Sequence, residues 1–112
     1  MPTQDEFADY VADLLSDLGT VTYRLMFGGY GIYLDGRIIA IADDGVLYLK
    51  ADDENREDFE RRGMEPFRPF PDRDTTMSYY RAPDAALDDR QELQELARTS
   101  VDAARRSAAK AT

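Results

Sequence analysis

The sequence contains no cysteine and no histidine. The first absence removes disulfides, thiolate nucleophiles and zinc–thiolate sites together, and it fits a reducing compartment. The second removes the commonest general base and metal ligand, so any catalysis would fall to carboxylates, tyrosines, serines, Lys50 or Lys110. Long hydrophobic runs are also missing: nothing approaches the ~18 apolar residues of a membrane span. The opening residues, "MPTQDEFADYV", are acidic where a signal peptide would be basic and then apolar. Together these features read as a cytoplasmic protein. Positive charge is scarce, with 14 Lys and Arg against 23 Asp and Glu and a net charge of −9. Such a field repels phosphate backbones, so no direct nucleic-acid binding is expected from this chain alone. Arg61 with Arg62, Arg68 with Arg73, and Arg105, Arg106 and Lys110 are the local exceptions. They read better as helix-end cations than as a nucleic-acid patch.

What the sequence does contain is patterned. Its 112 residues, 43% hydrophobic and 11% aromatic, suit one folded domain with a real core. Residues 4–18 place Phe7, Tyr10, Val11, Leu14, Leu15 and Leu18 at helical spacing with acids opposite, and Gly19 is the stop. From Val21 to Lys50 the period changes to two, punctuated by Asp35-Gly36 and by Asp43-Asp44-Gly45. Asx-Gly between apolar runs is a strong hairpin signal, so three antiparallel strands are expected at about 21–34, 37–43 and 46–50. Gly28, Gly29 and Gly31 then mark a bulge or bend in the first strand, where a missing side chain allows twist or a close neighbour. "ADDENREDFERRG" predicts a short helix capped by Asp52 or Asp53 and stopped at Gly63.

Beyond it, Pro66, Pro69 and Pro71 allow only an edge strand or extended loop. A P-x-x-P pattern spans Pro66 and Pro69, but Phe67 and Phe70 are expected to dock on the protein's own core. "TTMSYYRAP" reads as a fifth strand. A last helix carries Leu87, Leu93, Leu96, Ala97, Val101 and Ala104, capped by Asp88 or Asp89, and residues 105–112 are expected to fray. The order is helix, three strands, helix, two strands, helix: an α+β two-layer domain with a mainly antiparallel sheet, α-β-β-β-α-β-β-α, filling 1–112.

Candidate chemistry is thin. "RLMFGGYGIYLDG" lacks the third glycine of a dinucleotide loop and the G-K-[ST] of a P-loop, and a strand follows it where a helix is required. In "DRDTTMSYYRAP", Asp72 and Asp74 occupy calcium-loop positions 1 and 3, but Met77 and Pro83 stand where Gly and Glu are needed. Ser78 has no activating base in view and reads as a strand residue. Lys50 is the least easily dismissed candidate, because a lysine ending an apolar strand could be desolvated, but such a lysine more often snorkels. No catalytic residue, cofactor or metal ligand is expected, and the carboxylates sit where caps and solvated faces want them.

The sheet itself is more suggestive. "RIIAIA" puts Ile39 and Ile41 on one face and Ile38, Ala40 and Ala42 on the other, so neither face reads as solvent-facing. Tyrosines concentrate nearby. A partner or ligand surface is therefore placed at Arg24, Tyr30, Tyr33, Tyr48, Tyr79 and Tyr80. A protein partner or a second copy would cover it; the alternative is a tyrosine-rich ligand cleft, or an unrecognised enzyme, with Arg24 as polar anchor.

Residues 23–67, "YRLMFGGYGIYLDGRIIAIADDGVLYLKADDENREDFERRGMEPF", followed by "MSYYRAPDAALDD" at 77–89, resemble the N-terminal domain of the TfoX/Sxy family. The pattern R-x-M-F-G-G-x-G-[IV]-Y is matched from Arg24 to Tyr33, L-Y-L-K-x-D from Leu47 to Asp52, G-x-x-P-F from Gly63 to Phe67, and M-S-Y-Y-x-x-P from Met77 to Pro83. The resemblance implies a small α+β fold and a role among bacterial competence regulators, which act with the cyclic-AMP receptor protein at promoters. The sequence departs from the full-length pattern: ending at Thr112, it has no room for the helix-hairpin-helix C-terminal domain of complete members, so a stand-alone N-terminal domain is expected, which puts the competence role in doubt. A non-enzymatic regulatory or protein-interaction module is the function expected.

Overall fold

A computed structural model describes residues 3–26, 29–68 and 77–110. Helix α1 spans Gln4–Leu15 and tightens into a 3-10 turn at Ser16–Leu18. Thr3 caps it: its hydroxyl accepts from the Glu6 amide at 3.1 Å, and Asp5 and Glu6 lie at the positive end of the helix. Six strands follow, β1 (Val21–Met26), β2 (Gly29–Leu34), β3 (Arg37–Asp43), β4 (Val46–Lys50), β5 (Pro66–Phe67) and β6 (Met77–Arg81). Helix α2 (Arg56–Arg61) lies between β4 and β5, and α3 (Arg90–Lys110) closes the chain after a 3-10 turn at Asp84–Asp88. The strands form one antiparallel sheet in the order β1-β2-β3-β4-β6-β5.

The α+β class and the order of helices around the sheet are as expected, with one strand more. The run 21–34, read as one long strand, is two: β1 and β2 pair antiparallel, with Val21 opposite Leu34 and Met26 opposite Gly29. The bend expected at Gly28 lies outside the described residues. Gly29 is required for closeness: a Cβ there would sit 2.4 Å from the Ala42 carbonyl oxygen on β3. Both Asx-Gly turns form as expected. Asp35 and Gly36 have φ of 50° and 86°, Asp44 and Gly45 of 51° and 76°, the doubly positive pattern of a two-residue primed turn. Pro66 lies on the edge strand, where its missing amide costs no ladder bond. Helix α2 starts later than its acids suggested. Asn55 precedes it, while the Asp52 carboxylate accepts from the amides of Glu54 and Asn55 and closes the turn before the helix. Asp89 caps α3 through the Glu92 amide, and α3 is helical through 105–110.

Helices α1 and α3 pack on one face of the sheet. The core joins Phe7, Val11 and Leu15 to Ile32, Ile39, Leu47 and Leu49 and to Leu93, Leu96 and Ala97 of α3. Phe59 brings α2 to the same side, its ring 6.0 Å from that of Tyr80. Three buried polar side chains fasten α3. Gln94 donates to the Leu14 carbonyl at the end of α1, Ser100 and Asn55 both donate to the Lys50 carbonyl at the end of β4, and Asn55, which precedes α2, also donates to the Thr99 hydroxyl of α3. Each orphaned carbonyl at an element's end thereby gains a donor.

Candidate functional site

The opposite face of the sheet carries a second, smaller apolar cluster. Ile41, Phe67 and Tyr79 are its buried members, with Ile38 and Tyr48 packed against them, and all five belong to strands. The arrangement follows from strand alternation with two interruptions, one of them between Pro66 and Phe67 where β5 pairs with β6. Between Ile32 and Tyr33 the β2–β3 register shifts, so that Ile32 faces Ala40 while Tyr33 faces Ile38. The expected pairing of faces is corrected by this bulge. Ile39 joins Ala40 and Ala42 in the main core, while Ile38 and Ile41 turn to the outer face.

The six expected surface residues divide between the two faces. Tyr80 lies in the main core, its hydroxyl 2.7 Å from a Glu60 carboxylate oxygen. Tyr30 packs against that core and meets the Tyr23 ring edge-on at 5.2 Å, with its hydroxyl bonded to Asp5. Asp5 beside it holds the Tyr30 phenol above its ordinary pKa, as Asp9 does for Tyr23. These tyrosines fasten α1 to the sheet. Tyr48 and Tyr79 lie on the outer face, Tyr48 stacked on Phe67 with centroids 4.3 Å apart. Burial, reinforced by Tyr33, pushes the Tyr79 phenol up to about 12. Lys50 extends over the Tyr79 ring, its amine 5.5 Å from the ring centroid, a cation on an aromatic face.

Arg24 decides between a pocket and a surface. It is exposed, and its guanidinium lies 4.5 Å above the Tyr33 ring. No described carboxylate pairs with it. Two open clefts, of about 310 and 320 Å³, are lined respectively by residues around Arg62–Glu65 with Arg81–Asp84, and by residues around Lys50–Asp53 with Ser107 and Lys110. Neither is lined by Arg24 or by any of the five tyrosines. Ser78 lies on β6, its hydroxyl 3.5 Å from an Arg56 nitrogen, and no group that could act as its base is among its described partners. No group of three or more potential metal ligands occurs among the described residues, and Asp72 and Asp74 lie outside them. No described helix is long and apolar enough to cross a membrane. Phe67 docks on the sheet as expected, whereas Pro69 and Phe70 lie outside the described residues.

The fold and this face define a class: a single antiparallel sheet backed by helices on one side, with an aromatic and aliphatic patch on the other. The chain belongs to the family described as the TfoX N-terminal domain, whose model matches residues 13–104. It is 28% identical over 102 residues to Protein Sxy of Escherichia coli (strain K12), an alignment covering 82% of this chain and 44% of that protein. The chain thus spans less than half the length of this relative.

Proposed function

We propose that this domain is a non-enzymatic regulatory module that acts through a protein partner seated on the outer face of the sheet. Kinship with Sxy supports a competence-regulator type of module. The carrying observation is the patch formed by Tyr33, Ile38, Tyr48 and the Arg24 guanidinium over Tyr33, on the face opposite the core helices. Tyrosine and arginine are enriched where interfaces need an apolar body with a polar tip. The clefts, by contrast, are edged by charged residues, and neither is lined by Arg24, Tyr33, Ile38 or Tyr48.

The test places a photo-cross-linking residue at Ile38 in the native bacterium and identifies adducts by mass spectrometry. The cyclic-AMP receptor protein, named by the family resemblance, is assayed directly. Arg24→Glu and Tyr48→Glu should each abolish the adduct; Arg24 is exposed, so its variant keeps the fold. Adducts that persist in both variants, or none in the parent, would overturn the proposal.

A further inference from the structure

Strand β1 ends the sheet, and among the described residues no strand pairs with its outer edge. The direction of its backbone groups follows from one hydrogen bond. The Asp35 amide donates to the Thr20 carbonyl at 2.8 Å, so Thr20 points toward β2. In an antiparallel ladder the hydrogen-bonded pairs alternate, so Thr22, Arg24 and Met26 also point inward. Val21, Tyr23 and Leu25 therefore direct their amides and carbonyls at the open edge. Such edges are ordinarily blunted by lysine, proline or a covering segment. This one carries neither lysine nor proline, and instead presents Leu25 at 72% exposure, the most exposed large hydrophobic residue described.

We infer that this edge pairs antiparallel with the same edge of a second copy, about a two-fold axis at Tyr23. In that register Val21 lies opposite Leu25 of the second copy, and Tyr23 opposite its counterpart. Every outward-facing residue of one edge then meets an outward-facing residue of the other. Leu25 is covered by Val21 and Tyr23 across the axis, on the face that carries α1. On the other face Thr22 lies opposite Arg24. A register two residues one way sets Arg24 against Arg24 in a close pair, where like charges repel; two residues the other way, Leu25 lies opposite Gly19, outside the strand, and stays uncovered. The edge is thus complementary to itself in one register, the condition for a closed two-fold interface. The two sheets become one, and their outer faces lie side by side. Asp9, bonded to Tyr23, opposes Asp9 of the second copy, so the pairing is strongest at high ionic strength.

Light scattering during size exclusion, at rising concentration and high salt, should show a dimer that Leu25→Lys converts to a monomer, whose melting temperature matches that of the parent at dilutions where the parent too is monomeric. The absence of native cysteine allows a register test. Residues in a hydrogen-bonded antiparallel pair have Cα atoms ~5.5 Å apart, within disulfide reach. Mixing Val21→Cys with Leu25→Cys chains should give the mixed disulfide in several-fold excess over either homodimer. A strict monomer, equal yields of all disulfides, or a dimer dissolved by Tyr48→Glu but not by Leu25→Lys would each overturn the inference. The last result would assign self-association to the outer face.

Discussion

Arg106 reaches back across 54 residues to grip Asp52, with Nε and Nη2 donating to the two carboxylate oxygens at 2.6 and 2.9 Å. The two-pronged geometry is the strong form of an ion pair, and both side chains are mostly buried, at 30% and 23% exposure. Glu54 adds a second carboxylate to Arg106 at 2.7 Å. The pair ties the last turns of α3 to the turn that leads into α2.

Arg106 holds the Asp52 carboxyl down at about 2, from an ordinary 3.8, with help from the Glu54 and Asn55 amides. A depressed folded-state pKa stabilises the fold above the unfolded value, and that stability is lost as pH falls through the folded value. Asp52→Asn should therefore cost on the order of 1–2 kcal/mol at neutral pH. The difference from the parent should close between about pH 4 and pH 2. Thermal melts of both proteins across that range check it, and a constant difference would show that the charge is not responsible.

At Gly36 the backbone alone decides. Its φ is 86°, yet a Cβ there would meet nothing within 4 Å. Gly36→Val should destabilise by on the order of 1–3 kcal/mol through the strain of a β-branched residue in that region. Gly36→Asn, which tolerates left-handed backbone, should cost distinctly less. Equal melting points for the three proteins would mean that the turn does not hold its primed geometry.

These two sites show what the sequence could and could not announce. Asp-Gly turns, the cap at Asp89 and the amphipathic stripes of α1 and α3 are local signals, each decided within a few residues, and they were legible. The division of 21–34 was not, because apolar alternation runs up to Met26 and resumes at Gly29 with no Asx-Gly between. Nor was the bulge opposite Ile32 and Tyr33: in "IIAIA" every residue is apolar, so a slip of one position leaves no polar residue out of place. Face assignment failed there; Tyr79 and Tyr80, by contrast, are neighbours on β6, and strand alternation alone sends them to opposite faces. The grip of Arg106 on Asp52 joins distant segments, and in the sequence Arg106 reads only as a cation near a helix end.

Tyr79 offers a spectroscopic readout of the outer face. Burial raises its phenol to about 12, so the fold favours the neutral form. That preference stabilises the protein below the ordinary tyrosine value of 10 and is lost as pH rises toward 12. Ultraviolet titration should show a late-ionising component that Tyr79→Phe removes, and the variant should lose less stability than the parent between pH 10 and 12. Loss of a component that ionises near the ordinary value of 10 would instead place Tyr79 in solvent.

The charge pattern sets the final prediction, that the isolated domain does not bind duplex DNA usefully at physiological salt. Affinity for duplex DNA comes chiefly from lysines and arginines that neutralise phosphates and release counterions, and this chain carries a net charge of −9. Many of its cations are already engaged. Arg56 pairs with Asp53, Arg62 with Asp58, Arg81 with Asp84, Arg90 with Asp13 and Asp17, and Arg106 with Asp52 and Glu54. Neutralising phosphates with them would first require breaking those pairs beside acids that remain in place. The outward cations Arg24 and Lys50 lie over tyrosine rings and are too few to form a basic stripe. Fluorescence anisotropy with random and promoter-like duplexes should therefore show no saturable binding. A dissociation constant near ~10⁻⁸ M, typical of specific complexes, would overturn the prediction. Binding that appears only when the cyclic-AMP receptor protein is added would leave it standing, and would locate the DNA contact in that protein.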